Sequence, residues 1–257
     1  MKVIAVVNQK GGVGKTTTSI NIAGTLSAIN YKVLLVDFDP QGNSSSGVGL
    51  DYETRITSIY DVLNGAKDIN ESIQKTRIPN LDTLVATTDL AVAEIELANI
   101  DNREYTLKEK LNQVKEKYDF VFIDCPPSLG MLTINALCAS DEIIVPLQCE
   151  FFALEGLAHL LDTIERVRDN YNNNLKINGV VLTMYDKRNK LTEDVEKDVR
   201  SCLGDLVYDT VIPRNIRLSE ASSHGIPAIL YDSNCSGSIA YMNLVKEILK
   251  KWVKIID

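Results

Sequence analysis

Short apolar runs bounded by polar residues recur along the chain, at 3–7, 33–36, 81–85, 120–123, 143–147 and 180–183. They are unbroken rather than alternating, which predicts strands covered on both faces. Longer stretches between them carry helical spacing. Residues 16–29 place Ile20, Ala23, Leu26 and Ile29 on one face, 105–118 place Leu107, Leu111 and Val114 together, and 157–167 repeat the pattern. A last helix is expected over 239–256, with Tyr241, Leu244, Val245, Ile248, Leu249, Trp252 and Ile255 broadly on one side and Lys246, Lys250, Lys251 and Lys254 crowding its end. Strands alternating with helices predict an α/β fold: one doubly wound domain with a mainly parallel sheet and ligands at the strands' carboxyl ends. No Pro- or Gly-rich linker and no repeat interrupts the pattern, so residues 1–257 are read as one domain.

Composition narrows the partners. Hydrophobic residues make up 45% of the chain, enough for a sizeable core. The net charge is −8 and the pI about 4.9, so any nucleic-acid contact must come from a local basic patch. Five cysteines (Cys125, Cys138, Cys149, Cys202 and Cys235) show no C-x-x-C spacing, which favours scattered thiols over a disulfide framework or zinc site. The first apolar run is cut short by Asn8 and Gln9, unlike a signal peptide, and no run approaches about 18 apolar residues.

The first strand runs into Lys10-Gly11-Gly12-Val13-Gly14-Lys15-Thr16-Thr17. Glycines let successive backbone N–H groups face one concavity that binds phosphate oxygens, and the helix that follows adds its positive end. Lys15 would reach the β- and γ-phosphates and the Thr16 hydroxyl would ligate Mg²⁺. Gln9 stands where the strict pattern has its first glycine, but the required strand before and helix after are both expected. Two further strands end in acids: Leu34-Leu35-Val36-Asp37-Phe38-Asp39-Pro40-Gln41-Gly42-Asn43 and Phe120-Val121-Phe122-Ile123-Asp124-Cys125-Pro126-Pro127-Ser128. An aspartate after four apolar residues is what a buried strand carrying a Mg²⁺-side carboxylate needs. Asp37 is given no place in the site.

These motifs resemble the deviant Walker A ATPases of the ParA/MinD group, and more closely its ParA/Soj partition branch. Val211-Ile212-Pro213-Arg214-Asn215-Ile216-Arg217-Leu218-Ser219-Glu220, then Ser223-His224-Gly225, is similar to a partition-branch signature, as are Arg103-Glu104-Tyr105 and Leu107-Lys108-Glu109. Ser222 stands where the family usually has proline. The resemblance implies a P-loop fold, ATP and Mg²⁺ as cofactors, and slow ATP hydrolysis. It also implies that Lys10 reaches a partner's nucleotide, that Asp124 holds Mg²⁺ through water, and that Asp39 positions the attacking water or the metal shell. Residues matching Pro213 and Asn215 lie against adenine. From the residues alone, Lys10 bonding only its own loop stays open.

For partners the resemblance implies an ATP-bound homodimer, non-specific double-stranded DNA and a ParB-type centromere-binding protein, with the protein cytoplasmic and nucleoid-associated. Arg188 and Arg217, with Lys187 and Arg214, would form a basic surface continuous across the dimer. Two arginines per protomer would give a log–log salt slope of about −3.6 for a dimer. Between Thr183 and Ser219 acids equal bases in number, so a solvated mixed-charge face is a rival reading. Larger plasmid members carry an N-terminal DNA-reading extension, for which no room is expected ahead of a strand starting at Val3. A membrane-positioning ATPase like MinD is the alternative, since its basic C-terminal helix reaches membranes. The last helix here follows its turn without a linker and is expected to dock on the sheet instead, without stable membrane association.

Overall fold

In the computed structural model, which describes residues 1–98 and 100–253, seven strands form one sheet in the order β3-β4-β2-β5-β1-β6-β7. They are β1 Lys2–Val6, β2 Val33–Asp37, β3 Gln74–Lys75, β4 Leu81–Leu84, β5 Phe120–Asp124, β6 Glu142–Gln148 and β7 Lys176–Thr183. All neighbours are parallel except the short edge strand β3, which runs against β4. The doubly wound expectation is met, and the unbroken apolar runs explain it. Val3 and Ala5 face one core while Ile4 and Val6 face the other, and Val121 and Ile123 oppose Phe120 and Phe122 in the same way.

Twelve helices are described: α1 Lys15–Ala28, α2 Asn43–Gly47, α3 Ile59–Leu63, α4 Ile69–Ser72, α5 Leu90–Leu97, α6 Thr106–Asn112, α7 Met131–Ala139, α8 Ala153–Asn170, α9 Lys190–Leu203, α10 Ile216–Ser223, α11 Ala228–Tyr231 and α12 Ser236–Val253. The helix expected over 105–118 is shorter. Beyond Asn112 the chain tightens through three-residue hydrogen bonds, Val114 N to Leu111 O and Lys117 N to Val114 O, to bring Asp119 to the start of β5.

The last helix docks, as its spacing predicts. Tyr241, Leu244, Val245, Ile248 and Trp252 are buried in the core that α1 and α10 also share. Trp252 stacks on Phe120 with ring centroids 4.7 Å apart and donates from Nε1 to Glu142 at 2.8 Å. Its apolar side is therefore spent on the domain. Lys254, Ile255 and Ile256 lie outside the described residues.

Candidate functional site: a phosphate loop between three strand ends

Register brings the acidic strand ends together. Val6 on β1 and Asp37 on β2 both pair with Asp124 on β5, so the glycine loop leaves β1 directly beside both carboxylates. Gly12 and Gly14 have φ of +75° and +88°, the left-handed conformation that a side chain would resist. Gly14 precedes α1 with no side-chain cap, leaving the helix's first N–H groups facing the concavity. The loop is tied down from three sides. Asn8 donates to Pro146 O at 2.7 Å, Gln9 to Gly156 O at 2.9 Å, and Thr183 Oγ1 to Val13 O at 2.7 Å.

Lys15 is buried, with Nζ 3.2 Å from the Lys10 carbonyl. Burial pulls its pKa down, opposed chiefly by the charge of Asp124. Asp124 is fully buried. Its Oδ1 accepts from Ser19 Oγ at 3.1 Å, while Oδ2 has no hydrogen-bond partner among the described residues. Burial first, then the charge of Asp37, pushes its pKa up to about 7, against the pull of the nearby Thr16 and Ser19 hydroxyls. An orphaned, buried carboxylate oxygen beside a threonine and a helix start is a donor set suited to a hard divalent cation.

Asp39 lies just past β2, with Oδ1 accepting from Gln41 N at 3.0 Å. Asp37 does not share that position. It is sealed in by Ser45, which donates from N at 2.7 Å and from Oγ at 2.6 Å. Lys10 is exposed and its ammonium is ion-paired to Glu150, whose segment also carries the exposed Phe151 and Phe152. Ser19 and Glu150 escaped the sequence reading. Ser19 sits one helical turn from Lys15, a signal present in the spacing; Glu150 offers none, because only the sheet brings it near.

Pro213 and Asn215 do reach the loop. With Gly14, Thr17 and Met184 they line a cavity of about 200 Å³. Met184 has φ of +51°, a strained turn for a side-chain-bearing residue, and it swings the chain so that Tyr185 bridges to Pro213. Asn215 is already engaged: Oδ1 caps α10 through Arg217 N, and Nδ2 donates to Ser236 Oγ at 2.7 Å. His224 stacks on Tyr231 at 5.1 Å, a structural position.

The four basic residues expected to meet DNA lie near one another but differ in state. Lys187, Arg188 and Arg214 line one cavity wall, and Arg217 lies in the first turn of α10. Arg188 forks onto Asp186 through two contacts of 2.9 Å. Arg217 donates to Glu220 at 2.7 Å and lies 3.7 Å from Asp232. Two of the four are thus paired with acids of their own chain.

A family profile described as an AAA domain matches residues 1–177. The chain is 53% identical over 253 residues to the chromosome partitioning protein ParA of Caulobacter vibrioides, covering 98% of this chain and 95% of that one. It is 52% identical over 247 residues to the sporulation initiation inhibitor protein Soj of Bacillus subtilis, covering 96% and 98%. Among solved structures, cobyrinic acid a,c-diamide synthase from Mycobacterium smegmatis with bound ATP analogue and magnesium matches with a TM-score of 0.86 at 38% identity, over 98% of this chain and 96% of that. The cell division ATPase MinD of Pyrococcus furiosus matches at 0.81 and 28%, over 97% and 98%.

Proposed function

This chain belongs to the ParA/Soj family of chromosome-partitioning ATPases, and we propose that it dimerises on Mg-ATP, binds duplex DNA non-specifically as the dimer, and hydrolyses ATP slowly until a ParB-type partner stimulates it. The observation that carries the reading is the unpartnered, fully buried Asp124 oxygen beside Lys15 and the capless start of α1. A buried carboxylate oxygen without a donor is a group that a phosphate-bound cation would balance. A related protein crystallised with an ATP analogue and magnesium supports the same pair here.

In this reading the loop N–H groups from Gly11 to Thr17, with Lys15, hold the β- and γ-phosphates. Thr16 and Asp124, with Asp39 beside them, hold Mg²⁺. The cation supplies charge neutralisation at the phosphates. Adenine enters the cavity lined by Pro213 and Asn215. Asp39 orients a water that forms a new oxygen bond to the γ-phosphorus as the β,γ-bridging bond breaks; ADP takes the electron pair and the water's proton passes to the products. Lys10 leaves Glu150 to reach the partner's nucleotide, where two polyphosphates meet and added cations offset their repulsion. Dimerisation doubles the Arg188 and Arg217 pairs, with Lys187 and Arg214 beside them, and so switches DNA contact and nucleoid association on.

DNA retention across a salt series tests the scheme. With ATP and Mg²⁺, wild type is retained, Lys15→Ala is not, Asp39→Ala is retained persistently, and Arg217→Glu still binds nucleotide but loses DNA. Equal retention of wild type with ATP, ADP and no nucleotide would sink it.

A further inference from the structure

Arg55 stands outside every motif above and is nonetheless only 9% exposed. Its guanidinium reaches oxygens that are not carboxylates. Nε and Nη2 donate to Leu50 O at 3.2 and 3.0 Å, Nη1 to Ala86 O at 2.9 Å, and Nη2 to Gly42 O at 3.1 Å and Ser46 Oγ at 2.7 Å. A buried cation costs several kcal/mol to desolvate, and a planar fork offset by four separate oxygens fixes their relative positions. Burial pulls its pKa down, and the charge of Asp37 opposes that.

What the fork fixes is the turn that carries Asp39. Gly42 N donates to Asp39 O at 2.9 Å, closing residues 39–42 into one turn. Gly42 has φ of +65°, and a Cβ there would lie 2.2 Å from Arg55 Nη1. Glycine is needed there for two independent reasons, one of them Arg55 itself. The far anchor is Ala86, just beyond β4, whose N–H also donates to Ser45 Oγ at 3.1 Å. Ser45 in turn seals Asp37. Through these contacts Arg55 bolts the Asp39 turn to the sheet, next to but not touching the phosphate loop.

We propose that Arg55 is a positioning residue for hydrolysis: it acts through the Asp39–Gly42 turn, holding Asp39 where it can orient water, and contributes little to nucleotide affinity. The inference rests on Asp39 having the part assigned to it above. The test compares wild type, Arg55→Met, Arg55→Lys and Gly42→Ala. Gly42→Ala obstructs the fork but also strains the backbone at φ +65°, so Arg55→Lys, which keeps the charge and not the fork, carries the test if Arg55→Met does not fold. Three readouts are taken: amide hydrogen exchange, Mg-ADP affinity by titration calorimetry, and ATP turnover.

For Arg55→Met and Gly42→Ala the expected result has three parts. Amides of 41–48 exchange at least tenfold faster with those of α1 unchanged, Mg-ADP affinity stays within threefold, and kcat falls about ten- to a hundredfold. Arg55→Lys, which keeps the charge but not the fork, recovers only part of the turnover. The proposal is overturned if exchange in 41–48 does not change, if turnover stays within twofold of wild type, or if Mg-ADP affinity falls in step with turnover. A wild type that hydrolyses no ATP would bring down the functional reading and this inference with it. A hydrolysing wild type beside an indifferent Arg55→Met sinks the inference alone.

Discussion

A carboxylate oxygen with neither solvent nor donor beside it is costly until a positive charge arrives, and Asp124 Oδ2 is in that position. With its pKa pushed up to about 7, the folded protein holds this proton more tightly than the unfolded chain, whose aspartates titrate near 4. The folded state therefore binds more protons between those values. The contribution of Asp124 to stability of the nucleotide-free protein falls as pH rises from about 4 to about 7 and levels off above. Asp124→Asn should flatten that slope and gain a few kcal/mol at pH 8. Urea unfolding of both proteins at pH 5, 6, 7 and 8 checks it, and identical slopes would contradict the account. Asp124 was legible in the sequence because four apolar residues lead into it. Ser19 left a signal in its spacing from Lys15, whereas the sealing of Asp37 by Ser45 left none, because that contact exists only in three dimensions.

At the scale of elements, the strands were readable because each is covered on both faces, so its apolar run carries no competing period. The segment from 43 to 98 was harder. Helices α2, α3 and α4 are five residues or fewer, too short to show a helical period, and β3 is two residues long. Arg55 falls within that segment, which is why its burial left no mark on the sequence pattern. The last helix shows the opposite case, since its spacing matched its buried side from Tyr241 to Trp252. Trp252→Ala removes the stack on Phe120 and the donor to Glu142, and should cost about 3–5 kcal/mol in urea unfolding. A loss under about 1 kcal/mol would mean that the helix end is not anchored as described.

At the scale of the whole molecule, a chain of net charge −8 must gather some of its 27 lysines and arginines on one face to hold DNA as proposed. The local pairs, Arg188 with Asp186 and Arg217 with Glu220, were foreshadowed by the equal numbers of acids and bases, but the approach of Asp232 to Arg217 was not, because it arises only in the fold. In the proposed scheme phosphate displaces Asp186 from Arg188, so Asp186→Asn should raise DNA retention of the ATP-bound protein about two- to fivefold at fixed salt. A Glu165→Gln control corrects for the lost negative charge. Retention no higher than that control would show that Asp186 does not compete with phosphate.

The nucleotide-gated pair is the centre of the scheme, and mass measures it directly. Light scattering of the purified 28.5 kDa chain should give the monomer mass with Mg-ADP and about twice that with Mg²⁺ and a non-hydrolysable ATP analogue, with Lys15→Ala monomeric in both. A wild type that stays at the monomer mass with the analogue bound would contradict the account, whatever its DNA affinity.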